Sequence, residues 1–545
     1  MIRPTAEHDA PSAHVDTFAS DHLPARDLWP VMEPGALGYP AQLNAAAELL
    51  DRHAAASPDR TAFITPDDRW TYGELLSHAN RMARVLVEDL GVRPGNRVLL
   101  RGPNNLMMAA CWFAVLKAGA ICVSTMPLLR SRELRYVIDR ARVTLSLTDA
   151  RVAAELNQAH QTLDRPHRIV EFHAAGAAGS LEALASAKAD SFENVRTAAT
   201  DVALIAFTSG TTGRAKGTMH FHRDILAVAD TFSQHVLRPD RDDVFCGSPP
   251  IAFTFGLGGL VLFPMRIGAA ALLLEQAAPP LLLEGIREHG ATICFTAPTA
   301  YRAMLDDARA AGAGRLRKCV SAGETLPRAT FEAWEQATGL RIIDGIGSTE
   351  MLHIFISAAG TAIRPGSTGV VVPGYTACVL DDDGRELPRG AVGRLAVRGP
   401  TGCRYLDDEE RQRAYVQQGW NVTGDAYIQD DDGYFWYQAR TDDMIITGGY
   451  NIAGPEVENV LLEHEAVKEC AVVGVPDDER GYVVKAVVVL RDGIPPSDDT
   501  VRALQDFVKA EIAPYKYPRI VEFADALPRT ETGKLQRYRL REENA

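Results

Sequence analysis

The stretch Ala203-Leu-Ile-Ala-Phe207, followed at once by Thr208-Ser209-Gly210-Thr211-Thr212-Gly213-Arg214-Ala215-Lys216-Gly217, decides how the chain reads. Five apolar residues in a row fit a strand buried on both faces. The ten that follow are glycine, hydroxyl and cationic residues. Small side chains let backbone N–H groups approach phosphate oxygens, hydroxyls add donors, and Lys216 supplies countercharge. The segment is therefore a nucleotide-phosphate loop, against the plainer reading of a flexible Gly/Thr surface turn. A P-loop of the form G-x-x-x-x-G-K-[ST] is excluded, because counting from Gly210 reaches Ala215-Lys216-Gly217, without the second glycine or the hydroxyl that would hold magnesium.

Outward from this loop the chain alternates short β-rich runs with longer helical ones from about residue 45 to 440. Arg97–Leu100, Ala203–Phe207 and Ile293–Phe295 are each expected to lead through a turn into a helical segment. The fold class expected is α/β, a large N-terminal domain of parallel-rich sheets covered by helices, with a small α+β domain as a C-terminal lid. A chain of 545 residues exceeds what one core supports, so at least two domains are expected. Arg440–Pro455 is rich in turn formers and reads as a linker. Beyond it come a helix starting near Pro455, strands at Cys470–Val475 and Lys485–Leu490, a helix over Thr500–Ile512 and a strand at Arg519–Phe523. The boundary is drawn between residues 441 and 442, giving units 1–441 and 442–545.

A balance of 46% hydrophobic and 23% charged residues is that of a globular protein. The net charge of −14 opposes general attraction to nucleic acid or anionic membrane, so any polyanion must be met by a local basic cluster. Neither a signal peptide nor a membrane span is read, and a cytoplasmic location is expected. The eight cysteines stand singly, without zinc spacing, and read as buried thiols.

The TSGTTGRAKG segment closely resembles the phosphate loop of the acyl-adenylate-forming superfamily. Further segments resemble that family in the same order: Gly345-Ile-Gly-Ser-Thr-Glu350, Thr423-Gly424-Asp425, Arg440-Thr-Asp-Asp443 and Pro528-Arg-Thr-Glu-Thr-Gly-Lys534. Ala215 departs from it, since the family usually carries proline there. The resemblance implies attack of a carboxylate on the α-phosphorus of ATP, releasing pyrophosphate, and then transfer of the acyl group to coenzyme A. It assigns Thr208, Ser209, Gly210, Thr211, Thr212, Gly213 and Lys216 to the phosphates, Thr349 to an α-phosphate oxygen, and Glu350 to Mg²⁺. Asp425 and Arg440 fall to the ribose, and Ser321, Ala322, Gly323, Glu324, Asp344 and Gly345 to the surroundings of adenine. Lys534 would neutralise charge during adenylation, and Asp442 would be the pivot of a rotation that exchanges the two half-reactions. Gly448 and Gly449 would line the pantetheine channel, with Tyr450 beside it. Lys516, together with Lys485 and Arg519, would meet the CoA phosphates.

The acid is read from Ala252-Phe-Thr-Phe-Gly256, where an amino-acid-activating relative usually carries an aspartate and this chain has none. An α-amino acid is therefore not expected. Gly347-Ser-Thr-Glu-Met-Leu-His-Ile354 resembles the segment found in benzoate–CoA and 2-aminobenzoate–CoA ligases. Phe253, Thr254, Phe255, Gly256, Gly347, His353 and Ile354 form the expected acid pocket. Phe255 stands where benzoate ligases tend to carry tyrosine, which leans the expectation to 2-aminobenzoate, with benzoate as the alternative. Loading of a carrier protein and a non-catalytic nucleotide-binding descendant are the other readings. Partners expected are the aromatic acid, ATP and CoA, without nucleic acid or membrane, and with a homodimer left open.

Overall fold

The computed structural model describes residues 10–33, 37–174, 176–208, 215–440, 445–447, 450–477, 481–512, 516–529 and 535–542. Two large sheets carry the α/β part. One has six strands in the order Arg168–Phe172, Leu145–Asp149, Arg97–Arg101, Ile121–Thr125, Val202–Thr208 and Lys216–Phe221. The first five are parallel, and the last runs antiparallel to its neighbour. The other has nine strands, parallel from Thr61–Ile64 through Ala270–Leu272, Val244–Gly247, Ile293–Thr296 and Lys318–Ser321 to Ile342–Gly347, with antiparallel strands at both edges. Their continuous apolar runs follow from burial on both faces.

Between the sheets lies the helix Leu106–Lys117, buried on every side. Such a helix is apolar all round because it has no solvent face. Asn105 starts it by accepting a hydrogen bond from the Met108 N–H, and buried Lys117 ends it against Asp51 at 2.6 Å. All eight cysteines are buried free thiols, as expected.

Three expectations need correction. Ala203–Phe207 leads not into a helix but into a second strand, Lys216–Phe221, whose register pairs Thr208 with Lys216. The helix His222–Val228 comes only afterwards. Residues 376–440 form a third, wholly antiparallel sheet of Thr376–Leu380, Val392–Arg398, Val416–Gln417, Trp420–Gln429 and Phe435–Arg440. Finally, the segment read as a linker supplies the strands Ile445–Thr447 and Tyr450–Ile452 to the C-terminal sheet. Ile445 and Ile452 are buried in that sheet's core, which outweighs the turn-forming composition around them. The remaining small elements agree: Gly454–Glu463, Val467–Asp477, Gly481–Leu490, Asp498–Glu511 and Ile520–Phe523. No helix among the described residues is long and apolar enough to cross a membrane.

Candidate active site

The hairpin of Val202–Thr208 and Lys216–Phe221 carries the two described ends of the segment expected to bind phosphate. Ser209, Gly210, Thr211, Thr212 and Gly213 lie outside the described residues, while Thr208 and Lys216 face each other at its base. Gly217 keeps the hairpin closed, since a Cβ there would lie 3.0 Å from the Phe207 ring. Residues 404–406 run along the second strand, with the Met219 N–H donating to the Arg404 carbonyl and the Leu406 N–H to the Gly217 carbonyl, both at 2.8 Å. This contact brings Tyr405 alongside the strand Lys216–Phe221. The Lys216 ammonium lies 5.5 Å from the centroid of its ring, and its hydroxyl donates to Glu350 Oε1 at 2.6 Å.

Glu350 is reached by a second route. His220 Nε2 is 2.7 Å from the Thr349 carbonyl, which makes that nitrogen the donor and ties the hairpin to the Gly345–Glu350 segment. Tyr415 lies 3.3 Å from Ser348 Oγ. Burial first, and then the carboxylates of Glu350 and Asp425, push the Tyr415 phenol well above its ordinary range. Among the described residues no group of three His, Cys, Asp or Glu side chains is suited to hold a metal alone. A single buried carboxylate fits Mg²⁺ that arrives with nucleotide phosphates, the mode that suits an ion reluctant to shed its waters.

On the adenine side, Ser321 and Asp344 are register partners on adjacent parallel strands. Asp344 Oδ1 is buried without a hydrogen-bond partner among the described residues. Burial raises the Asp344 carboxyl to about 7, against the opposing pull of the Ser321 hydroxyl and the Gly345 N–H. A carboxyl in this state is able to act either as acceptor or as donor. The sign of the stability effect follows: the folded state holds this proton between about pH 4 and 7 while the unfolded state releases it, so the group's contribution declines as pH rises through that window. Asp344→Asn is expected to flatten that decline and to gain at least about 1.4 kcal/mol at pH 8, the worth of one pKa unit. Denaturant titrations at pH 5 and pH 8 check it, and an unchanged pH dependence contradicts it.

Ala322 is buried, and Gly323 takes the left-handed φ of +90° that its turn requires. Glu324 receives the guanidinium of Arg529 at 3.3 Å, and Arg529 also reaches Glu469 at 3.0 Å. Residues 530–534, with Lys534, lie outside the described residues. Their two ends are joined by the Gln536 N–H donating to the Pro528 carbonyl at 2.9 Å and by a bridge between Arg529 and Leu535. Arg529 itself is thus held against the segment expected to flank adenine. Asp425 and Arg440 are register partners across two antiparallel strands, and Gly424 preceding Asp425 has φ +77°.

His353 closes the acid side. Phe263, Phe255, Phe232 and Phe295 surround it, with ring centroids at 4.6, 5.6, 5.6 and 6.3 Å. Burial pushes its imidazole down to about 3, against a weaker opposing contact with the Phe255 backbone, so the ring is neutral at physiological pH. Both ring nitrogens are without a hydrogen-bond partner among the described residues. An unmet buried polar group is costly, so the nitrogen pair stands out from the apolar rings around it. The preceding Leu352 holds φ +68°, a left-handed conformation uncommon for leucine, and so turns His353 inward.

Glycine makes the cage possible. A Cβ at Gly258 would sit 2.3 Å from His353 Cδ2, and one at Gly347 would sit 2.7 Å from the His353 carbonyl. At Gly256 it would meet the Pro250 carbonyl at 2.1 Å. Asn104 fixes that loop by donating to the Pro249 carbonyl at 3.0 Å and accepting from the Ile251 N–H at 2.8 Å. Phe255 enters the cage directly, whereas Phe253 and Thr254 begin the helical turn Thr254–Leu257 at its rim. Ile354 is buried against the Gly345 backbone. Phe232, Phe263 and Phe295 are not among the pocket residues expected from the sequence. Nothing in their spacing separates cage from core.

The CoA assignments divide. Gly448, Gly449 and Asp442 lie outside the described residues, and Tyr450 begins a strand. Lys516 binds both oxygens of Glu456, at 2.6 and 2.7 Å. Lys485 is buried against Glu522 at 2.6 Å. A phosphate would have to displace a carboxylate at either lysine.

The hairpin that carries Thr208 and Lys216 is thus tied to the buried carboxylate of Glu350, three residues before the caged His353. The sequence pattern described as AMP-binding enzyme matches residues 50–405, and that of the AMP-binding enzyme C-terminal domain matches residues 456–534. A benzoate–CoA ligase of Thauera aromatica is 35% identical over 519 residues, spanning 93% of this chain and 97% of that protein. A 4-hydroxybenzoate–CoA/benzoate–CoA ligase of Rhodopseudomonas palustris is 33% identical, covering 92% and 94%. Among solved structures, the anthranilate CoA ligase AuaEII in complex with anthranoyl-AMP superposes with a TM-score of 0.89 at 35% identity, covering 93% of this chain and 98% of that one. A benzoate CoA ligase from Burkholderia xenovorans gives 0.84 at 34% identity, covering 92% and 100%. The chain belongs to the AMP-binding enzyme family and is an acid–CoA ligase.

Proposed function

We propose that this enzyme is an aryl-CoA ligase that takes 2-aminobenzoate ahead of benzoate, joins it to AMP from ATP with release of pyrophosphate, and passes the aryl group to CoA. The observation that carries the reading is the neutral, unpartnered His353 inside its phenylalanine cage. A single aromatic ring fits flat apolar walls, and a neutral imidazole nitrogen accepts a hydrogen bond from an ortho amine. The relatives that act on benzoate, hydroxybenzoate and anthranilate support the substrate class.

The chemistry is mainly positioning and neutralisation of charge. Thr208, Lys216 and the loop between them would hold the β- and γ-phosphates, and Thr349 an α-phosphate oxygen. Glu350 would hold Mg²⁺, which when bound offsets phosphate charge. Asp425 and Arg440 would hold the ribose. Ser321 through Glu324, with Asp344 and Gly345, would enclose adenine. Lys534 would bridge the acid carboxylate and the α-phosphate in the first step, then leave as the small domain turns about Asp442. A division between residues 441 and 442 suits the gap between the two matched family segments. Gly448, Gly449, Tyr450 and Lys516 remain the proposed CoA contacts, and eight free thiols suit a cytoplasmic setting.

One amine–imidazole hydrogen bond contributes about 0.5–1.5 kcal/mol, so a preference of several-fold over benzoate is expected and not absolute discrimination. Comparing kcat/KM for 2-aminobenzoate, benzoate, 4-hydroxycinnamate and octanoate at saturating ATP and CoA checks this. A lead for octanoate or the cinnamate defeats the single-ring pocket. A lead for benzoate overturns the ortho-amine assignment alone.

A further inference from the structure

We propose that Tyr405 is a positioning residue of the adenylation step, holding the Glu350 carboxylate for the metal while keeping the Lys216 ammonium available to phosphate. One phenol touches both groups: its hydroxyl donates to Glu350 Oε1 at 2.6 Å, and its ring lies 5.5 Å from the Lys216 ammonium. The proposal rests on the reading of Glu350 as the Mg²⁺ residue.

Three features make the contact a fixed one. Tyr405 is 1% exposed, and its N–H donates to Gln412 Oε1 at 2.9 Å. Its backbone bridges Thr218 on the phosphate hairpin. Its ring meets Tyr415 edge-on at 5.9 Å, and Tyr415 in turn lies against Ser348.

With one carboxylate oxygen engaged by the phenol, the side chain cannot rotate freely, and its second oxygen has a defined direction in which to meet a cation. Lys216 forms no ion pair among the described residues. The negative face of the ring holds the ammonium loosely instead, as a cation–π contact does. Incoming phosphate then meets a lysine that need not first break an ion pair.

The test is calorimetric binding of α,β-methylene-ATP to the full-length enzyme, with and without Mg²⁺, for Tyr405→Phe, Tyr405→Leu and Glu350→Gln. Tyr405→Phe keeps the ring and loses the hydroxyl. It is expected to weaken binding of the magnesium complex by about 10-fold or more, the scale of a hydrogen bond to a charged group. Binding of the metal-free nucleotide should stay within about 2-fold, because the ring still attends Lys216. Tyr405→Leu should weaken both. Thioester formation from supplied acyl-adenylate should be unchanged in Tyr405→Phe, which a merely structural role would not spare. Equal binding of the magnesium complex by wild type and Tyr405→Phe, or equal loss with and without metal, overturns the proposal. If Glu350→Gln leaves the magnesium dependence intact, the underlying assignment of Glu350 fails. If Glu350→Gln abolishes that dependence and Tyr405→Phe does not alter it, only the role of Tyr405 fails.

Discussion

Lys534→Ala is expected to slow acyl-adenylate formation by about 10²- to 10³-fold, the cost of removing one preorganised group from developing charge. Transfer to CoA from supplied acyl-adenylate should stay within a few-fold of wild type. The asymmetry follows from where charge accumulates. In the first step a carboxylate approaches an α-phosphate, two anions brought into contact, and a lysine between them lowers the barrier by Coulombic attraction in a site shielded from water. In the second step the attacking thiolate meets an acyl group already activated, and the lysine has no anion pair to bridge. Arg529, in the same Pro528–Lys534 segment, pairs with Glu324 of the stretch expected to flank adenine. Assaying each half-reaction separately decides the matter. Equal loss in both, or no loss in the first, removes Lys534 from this role.

Arg404→Ala should destabilise the large domain by about 3–5 kcal/mol, because it strands a buried carboxylate. Arg404 and Asp224 are both fully buried and pair at 2.8 Å. The guanidinium also lies 4.0 Å from the Phe221 ring centroid and 5.0 Å from that of Trp29. Burial alone would raise the Asp224 carboxyl; the charge of Arg404, with His220 and Arg223, holds it well below the usual carboxylate range. The sign is that of a depressed acid: its contribution is present above the unfolded carboxyl pKa near 4 and is lost as pH falls through lower values. Removing Arg404 leaves burial dominant and the carboxylate uncompensated. Replacing both residues, as in Asp224→Ala with Arg404→Met, should recover part of the loss. Denaturant unfolding at pH 7 reads both effects. A loss below about 1 kcal/mol in Arg404→Ala, as for a surface pair, contradicts the assignment.

What could be read from the chain was whatever a short stretch carries by itself. Thr208–Gly217 announces phosphate binding by composition, and the alternation of apolar runs and helical segments announces an α/β fold. The small domain's elements were legible from their own periodicity. What could not be read depended on pairing at a distance. Tyr405 meets Glu350 across 55 residues and His220 meets Thr349 across 129, and neither contact leaves a local trace. Lys216–Phe221 forms a strand where alternation predicts a helix, because the edge of the sheet beside Val202–Thr208 is free to accept it. Ile445 and Ile452 sit among glycines and look like loop residues until the core they enter is seen. The phenylalanines around His353 could not be told from core, since a cage and a core are lined by the same side chains.

The most direct test of the account is a single-turnover reaction of the enzyme with ATP, Mg²⁺ and 2-aminobenzoate, sampled by mass before and after adding CoA. The account predicts 2-aminobenzoyl-AMP and pyrophosphate in the first sample, and 2-aminobenzoyl-CoA with AMP replacing the adenylate in the second. ADP and phosphate as nucleotide products, or an adenylate that CoA leaves untouched, would contradict it.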